Sequence, residues 1–320
     1  MNNFWEKLPK PFFVLAPLAN VTDPAFRSLI AEYSKPAGPH AMFTEFVSAD
    51  GLVRGNREVL LRDLAFSELE RPIVAQFFTS TPLYMEEVAG LAQELGFDGV
   101  DINMGCPDRA VEKQGGGAAL IKDMSTAVQL IEAARKGAPN LPISVKTRLG
   151  YNKDVLEEWV PILLSTPIAA LTIHARTRKE MSKVPAHWER IARAVEIRDS
   201  LKSSTRIIGN GDVKDLTDAR GKAEVSGADG VMLGRAIFGS PWLFDESKKP
   251  TLEERLRIAL EHTELFEELL GDIKNFAIMK KHFKAYIEGF PGAKELRIRL
   301  METKTAPEVR EIIREYLASI

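Results

Sequence analysis

Cys106 is the single cysteine of this 320-residue chain, and it sits in DINMGCPDRAVEKQGGGAAL between Gly105 and Pro107. A thiol there follows an apolar run and precedes a polar loop through Asp108, Arg109 and Lys113 to Gly115-Gly116-Gly117. Such a glycine-ended loop reads as a mobile lid. The thiol has two chemistries open to it, nucleophile or proton donor. No neighbouring His or Asn pairing supports a papain-like nucleophile. Proton donation needs only proximity, and a pKa of about 8.5 keeps a free thiol mostly protonated at neutral pH. Other polar groups interrupt apolar runs: Gln76 in VAQFF, Lys146 in SVKTR and His174 in LTIHAR. A buried lysine demands a partner, either a structural carboxylate or the negative, electron-rich edge of a ligand. Two glycine turns, IIGNGD at 207–212 and GVMLGR at 230–235, could cradle a phosphate with backbone N–H groups, and Arg235 would add charge-assisted bonds. The five histidines show no HxH or HxxxH spacing and no accompanying carboxylate cluster, so no metal is expected.

These residues need elements to bring them together. Eight short apolar runs recur along the chain, at 12–19, 42–47, 72–78, 99–105, 142–150, 170–176, 206–212 and 230–235. Near-continuous apolar runs suit strands buried on both faces, as in parallel sheets. Amphipathic stretches lie between them, including Tyr84–Leu95, Thr126–Arg135, Val155–Leu164 and Leu216–Ser226. Eight βα units within about 240 residues predict a (β/α)8 TIM barrel rather than a doubly wound open sheet. In a barrel the site lies at the C-terminal strand ends. Those ends carry Pro17 and Asn20, Glu45, Gln76, Asn103 with Cys106, Lys146 with Arg148, His174 with Arg176, Asn210 with Asp212, and Gly234 with Arg235. Polar groups ending buried strands are costly unless satisfied, so this many together point to one shared ligand. The loops after strands 7 and 8 are the usual phosphate grip of the fold.

The composition changes after Phe244. DESKKP reads as a linker, and Thr251 with Glu254 forms a capping-box pattern that opens a helix. From there only helical periodicity appears. The expected organisation is a catalytic barrel over 1–245 and a small helical domain over 251–320. One cysteine excludes an internal disulfide and fits a reducing, cytoplasmic setting. Neither a signal peptide nor a membrane span is expected, because the apolar runs are short and broken by proline. Lys and Arg number 43 against 45 Asp and Glu, a net charge of −2 that gives no overall basic excess. The charge is nonetheless unevenly placed. Residues 253–272 carry seven acids and two bases, whereas residues 274–299 carry seven bases, including Lys274, Lys280, Lys281 and Lys284, and two acids. That basic block, interleaved with Phe283 and Tyr286, reads as a phosphate-facing surface. A rim set (Arg109, Lys113, Lys122, Arg148, Arg176, Arg178, Lys179) extends it towards the barrel mouth.

Nearly the whole chain resembles the tRNA-dihydrouridine synthases, flavin-dependent enzymes that reduce uridine in RNA. The resemblance rests on APLANVTDPAFR (16–27), the TEFVSADGL region (44–52), IVAQFF (73–78), DINMGCPDRAVEKQGGGAALI (101–121), PISVKTRLG (142–150), LTIHARTR (171–178), IIGNGDV (207–213), DGVMLGRAIFGSPWLF (229–244) and MKKHFKAYIEGF (279–290). The NMGCP motif with its glycine loop is the most specific piece. The resemblance implies FMN, with its phosphate at Asn210, Gly211, Gly234 and Arg235, and Asp212 is counted with the cofactor-binding residues. It puts the flavin ring over Ala16, Pro17 and Leu18, near Gln76, Lys146 and His174. It implies NADPH as reductant, hydride delivery to C6 of a uracil, and protonation of C5 by Cys106. Asn103, Arg148 and Arg176 become candidates to hold the substrate, with Lys280, Lys281 and Lys284 on the RNA backbone. A ribosomal RNA substrate or a small-molecule flavin oxidoreductase are the alternatives. One departure stands out: family members commonly carry a glycine and an acidic residue in the stretch after HARTR, which here reads KEMSKVPAHW, with Val184 and Pro185 around the expected glycine and His187 before Trp188. That segment is expected to touch substrate or shape the rim.

Overall fold

The computed structural model describes residues 3–319. Eight strands form one parallel sheet: β1 (Phe12–Leu15), β2 (Met42–Ser48), β3 (Ile73–Phe78), β4 (Gly99–Met104), β5 (Ile143–Arg148), β6 (Ala170–His174), β7 (Arg206–Asn210) and β8 (Gly230–Leu233). Their order is β1-β8-β7-β6-β5-β4-β3-β2, so the sheet curls until its first and last strands approach. β1 and β2 meet at a single parallel bridge, Val14 with Ala41, where the Leu15 N–H donates to the Ala41 carbonyl at 3.2 Å. The architecture is an α/β, TIM-barrel-like fold. Its helices are α1 (Pro24–Ser34), α2 (Ala49–Arg54), α3 (Arg57–Asp63), α4 (Pro82–Glu94), α5 (Arg109–Lys113), α6 (Met124–Gly137), α7 (Leu156–Leu164), α8 (Trp188–Ser200) and α9 (Leu216–Ser226). α10 (Leu252–Leu270), α11 (Met279–Tyr286), α12 (Ala293–Glu302) and α13 (Ala306–Ser319) follow the last strand. The four longer amphipathic stretches expected from periodicity are helices α4, α6, α7 and α9. The short α2 and α3 lie between β2 and β3, and α5 between β4 and α6, and each carries too few turns for a periodic signal.

Alternation along each strand divides two apolar layers. Phe13, Leu15, Val100, Ile102, Val145 and Ile173 pack outward with the helices. Phe12, Val14, Phe43, Val74, Ala170 and Ile208 point inward and close the barrel bottom with Trp5, which is 1% exposed. Towards the C-terminal ends the inward positions turn polar, and this change of chemistry along the barrel axis creates the site. β2 departs from regular pairing: its register with β3 slips between Phe43 and Phe46, so Thr44 and Glu45 bulge from the ladder. The start of α1 is locked by a buried pair. Arg27 donates to Glu70 at 2.7 Å, to the Thr22 carbonyl at 2.8 Å and to the Ala65 carbonyl at 2.5 Å.

The capping box at Thr251 and Glu254 opens α10, and everything after it among the described residues is helical or irregular. α10 packs along α1, and one apolar core includes Leu256, Phe266, Phe283 and Leu296 together with barrel residues. His262 and His282 are buried in this seam, with His262 stacked on Phe26 at 4.5 Å. No described helix is long and apolar enough to cross a membrane.

Candidate active site

A cavity of about 350 Å³ opens at the C-terminal strand ends. Of the predicted site residues it is lined by Ala16, Pro17 and Leu18 on one wall, by Asn103, Cys106, Lys146, Arg148, His174 and Arg176, and by Asn210, Gly211, Asp212, Gly234 and Arg235. Among the predicted cofactor-binding residues Gln76 is the exception. It is fully buried beneath the cavity, where its amide donates to Asp101 at 2.6 Å and accepts from Asn103 at 3.0 Å.

Lys146 reaches the cavity from β5. Among the described residues no carboxylate lies within ion-pair distance of its ammonium, although burial alone would demand one. Burial and the nearby Arg148 lower its pKa to about 8, against the pull of Asp101 and Cys106. It therefore remains a cation at neutral pH. His174 behaves oppositely. Burial first, then Arg148, Lys146 and Arg176, lower its pKa to about 2, so the ring is neutral. Arg176 Nη1 lies 3.3 Å from His174 Nε2. A guanidinium only donates, so Nε2 accepts and the proton sits on Nδ1.

Cys106 is held by its backbone. Asn103 Oδ1 accepts from the Cys106 N–H at 2.8 Å and from the Gly105 N–H at 3.1 Å. Arg148 Nε donates to the Gly105 carbonyl at 2.7 Å. A Cβ on Gly117 would lie 2.7 Å from the Cys106 carbonyl, and Gly117 has φ +59°, so only glycine lets the loop return this closely. Burial raises the thiol pKa, partly opposed by the Asp108 N–H, so the proton stays on sulfur at neutral pH. The loop after Cys106 is tied at two points: its α5 is joined by Glu112 to Arg178 through two bonds of 2.7 and 2.5 Å, and Ser80 donates to the Gln114 carbonyl at 2.6 Å.

Asp101 and Ser144 are residues that sequence reasoning missed. Ser144 donates to Asp101 at 2.5 Å, and the chain Asp101–Gln76–Asn103–Cys106 N–H runs unbroken under the cavity. Burial raises the Asp101 pKa to about 6. The available signal was the D-x-N spacing of β4, which puts both side chains on the inward face. Asn103 and Arg176 are similarly engaged. Arg176 donates to the Val184 carbonyl at 2.6 Å and pairs with Asp212, which also accepts from Arg235 at 2.8 Å and from the Ala186 N–H at 3.0 Å. Asp212 thus spaces two arginines. Asn210 donates to the Met232 carbonyl at 2.9 Å, and Gly211 has φ +126° against Ala186 and His174. The divergent segment after HARTR does reach the rim, since Met181 and Ser182 line the cavity and Val184 anchors Arg176.

The basic block is only partly the open surface that its sequence suggests. Phe283 and Tyr286 are fully buried, because α11 turns its aromatic face inward. Lys274 is half-buried against Glu45 and Asp63, Arg299 pairs with Glu315, and Arg297 donates to the Ile287 carbonyl at 2.7 Å. At the rim, Arg178 is taken by Glu112. Lys284 is exposed, with Lys280 and Lys281 half-buried, and all three lie outside the cavity.

A TIM-barrel-like fold with a cationic cup, a fixed protonated thiol and glycine turns after its last two strands defines a class of ligand-binding barrel enzyme. The dihydrouridine synthase family model, described as "Dihydrouridine synthase (Dus)", matches residues 14–319, and the chain belongs to that family. A Staphylococcus aureus (strain MRSA252) protein named "Probable tRNA-dihydrouridine synthase" is 41% identical over 323 residues, covering 99% of this chain and 97% of that one. A Bacillus subtilis (strain 168) protein named "Probable tRNA-dihydrouridine synthase 2" is 41% identical over 326 residues, with 99% of each covered. Among solved structures, histamine dehydrogenase from Rhizobium sp. 4-9 superposes with a TM-score of 0.52 at 12% identity, over 79% of this chain and 48% of that one. Morphinone reductase in complex with tetrahydroNAD gives 0.50 at 12% identity, over 75% and 87%. These two likenesses concern the barrel fold.

Proposed function

We propose that this protein is an FMN- and NADPH-dependent tRNA-dihydrouridine synthase that saturates the C5=C6 bond of specific uridines. The observation that carries this reading is the pairing of a half-buried cation without a carboxylate partner, Lys146, with a protonated, loop-fixed thiol, Cys106, in one cavity. The cavity fits FMN. The Gly211 and Gly234 turns with Arg235 suit its phosphate, and the Ala16–Leu18 wall suits its ring. Bound and reduced by NADPH, FMN supplies the hydride for C6. The chain's own residues do the rest. Lys146 holds negative charge where it develops, acting as a fixed cation on the cavity lining. Neutral His174 presents its Nδ1–H as a donor without adding charge. Cys106 gives its proton to C5, and the thiolate left behind is stabilised by Lys146, Arg148 and the Asp108 N–H. Arg148 and Asn103 keep the thiol in place. A uridine must leave its stack to enter this cup. Residues 1–245 serve as the catalytic domain, and residues 251–320 as an RNA-binding helical domain that presents Lys280, Lys281 and Lys284.

The test is a map of dihydrouridine in total RNA from a deletion strain carrying either the intact gene or Cys106→Ala. The expected result is loss of defined tRNA dihydrouridines, restored only by the intact gene, while purified Cys106→Ala still shows a flavin absorption spectrum. Loss confined to ribosomal RNA would move the substrate. Unchanged dihydrouridine in every RNA, or a protein that takes up no FMN, would defeat the proposal.

A further inference from the structure

Lys274 carries a role that its place in a basic sequence block conceals. Its ammonium lies 2.6 Å from Glu45 and 2.7 Å from Asp63, and the three side chains are only 12%, 7% and 17% exposed. Glu45 is turned towards it by the β2 bulge. The other oxygen of Glu45 accepts the backbone N–H of Asn20. Asn20 is the tip of the turn after β1 and has φ +54°, a left-handed conformation that asparagine adopts more readily than other residues with a side chain. The turn is otherwise closed on itself, by the Val21 and Thr22 N–H groups on the Leu18 carbonyl and by the Leu18 N–H on Thr22 Oγ1, and is held from outside at its far end, where Arg27 donates to the Thr22 carbonyl at 2.8 Å. That turn is the cavity wall formed by Pro17, Leu18 and Ala19.

We infer that Lys274 is a positioning residue: through Glu45 it fixes the β1 turn, so the helical segment after the barrel completes the wall against which the cofactor is bound. The inference rests on the FMN reading above. The physical argument is that Glu45 cannot do this alone. Without Lys274, a nearly buried carboxylate would share its surroundings with Asp63 and Asp23, keep a single backbone bond, and have Lys281 nearby only beyond ion-pair distance. It would then take up a proton or swing to solvent. Either change releases Asn20, and a turn then held from outside only at its far end, by Arg27 on the Thr22 carbonyl, relaxes away from the cavity at its tip. An ordinary surface lysine, or one facing a phosphate backbone, would have no such effect on the cofactor.

The experiment measures FMN affinity by quenching of flavin fluorescence on titration of apoprotein, together with the visible flavin spectrum and Tm, in four proteins. These are wild type, Lys274→Met, Lys274→Arg, and Leu296→Ala as a control that loosens the helical segment away from the strut. A fifth, Lys274→Met with Asp63→Asn, keeps the net charge of the cluster and serves if the single variant does not fold. Lys274→Met, or the double variant, is expected to bind FMN at least tenfold more weakly with a shifted flavin spectrum. Lys274→Arg is expected to stay within threefold of wild type. Leu296→Ala is expected to lower Tm while leaving FMN affinity within twofold. Wild-type FMN affinity in the methionine variants would overturn the inference. So would a loss of affinity in Leu296→Ala that matches its fall in Tm. A wild-type protein that binds no FMN is a distinct outcome, which overturns the functional reading and the strut with it.

Discussion

The buried histidine pair in the seam between α1 and the C-terminal helices makes stability depend on acid in a calculable way. His262 and His282 are both fully buried, 4.5 Å apart in a T-shaped contact, with Phe26, Phe238 and Tyr286 around them. His262 Nε2 and both ring nitrogens of His282 have no hydrogen-bond partner in this seam. Burial lowers the His262 pKa from 6.5 to about 3, and burial with His262 and Lys281 lowers that of His282 well below its ordinary value. The folded state therefore keeps both rings neutral, while the unfolded chain takes up protons below about pH 6.5. This stabilising contribution is intact above that value and is lost progressively as pH falls towards the folded pKa. At pH 5 the unfolded state has titrated and the folded state has not, so His262 alone lowers stability by about 2 kcal/mol relative to pH 7. His282 adds a loss of the same sign. His262→Phe keeps a ring against Phe26 and removes the titration. Urea unfolding of apoprotein at pH 7, 6 and 5, followed by tryptophan fluorescence and far-UV circular dichroism, isolates the slope from any offset in packing. The variant should lose about 2 kcal/mol less than wild type between pH 7 and pH 5. A variant whose stability falls as steeply as that of wild type would refute the claim that this ring is held neutral by its seam.

Two further changes probe the positioning of the site. Gly117→Ala forces a Cβ into the space 2.7 Å from the Cys106 carbonyl at a left-handed φ of +59°. It should cost about 1–3 kcal/mol in stability and slow single-turnover uridine reduction at least tenfold while flavin absorbance persists; normal turnover would show that the loop tolerates displacement. Arg27→Met leaves Glu70 buried without its cation and the Thr22 and Ala65 carbonyls without their donor. Urea unfolding should show a loss of about 3–5 kcal/mol, and a loss below 1 kcal/mol would mean that the pair is not isolated from solvent.

Much of the barrel was legible because its signal is local. Buried parallel strands need apolar residues on both faces, and the eight runs that satisfy this are the eight strands of the sheet. The strand-end polar residues were legible for the same reason, since Lys146 or His174 inside an apolar run is costly unless a partner or ligand satisfies it. Connections were harder. α5 is too short for periodicity, and its anchor Arg178 lies 66 positions from Glu112. The Asp101–Gln76–Asn103 chain was also missed, because a polar residue on the inward face can support a site as readily as line it.

The sequence by itself determined the strand set, the helix capped at Thr251, the family resemblance, and Cys106 as the only thiol. These depend on residue type and short spacing. Only the tertiary structure decided what each charge does. Lys274, Lys280 and Lys284 are near-equivalent in sequence, yet the first is held between two carboxylates inside the molecule and the last is exposed. Phe283 and Tyr286 read as partners for a nucleic acid and are instead core residues of the seam. The physical reason is that charge and aromaticity acquire meaning from what surrounds them. Those surroundings come from segments as distant as Glu45 and Lys274, which lie 229 positions apart and meet only when the sheet curls and the C-terminal helices pack against it.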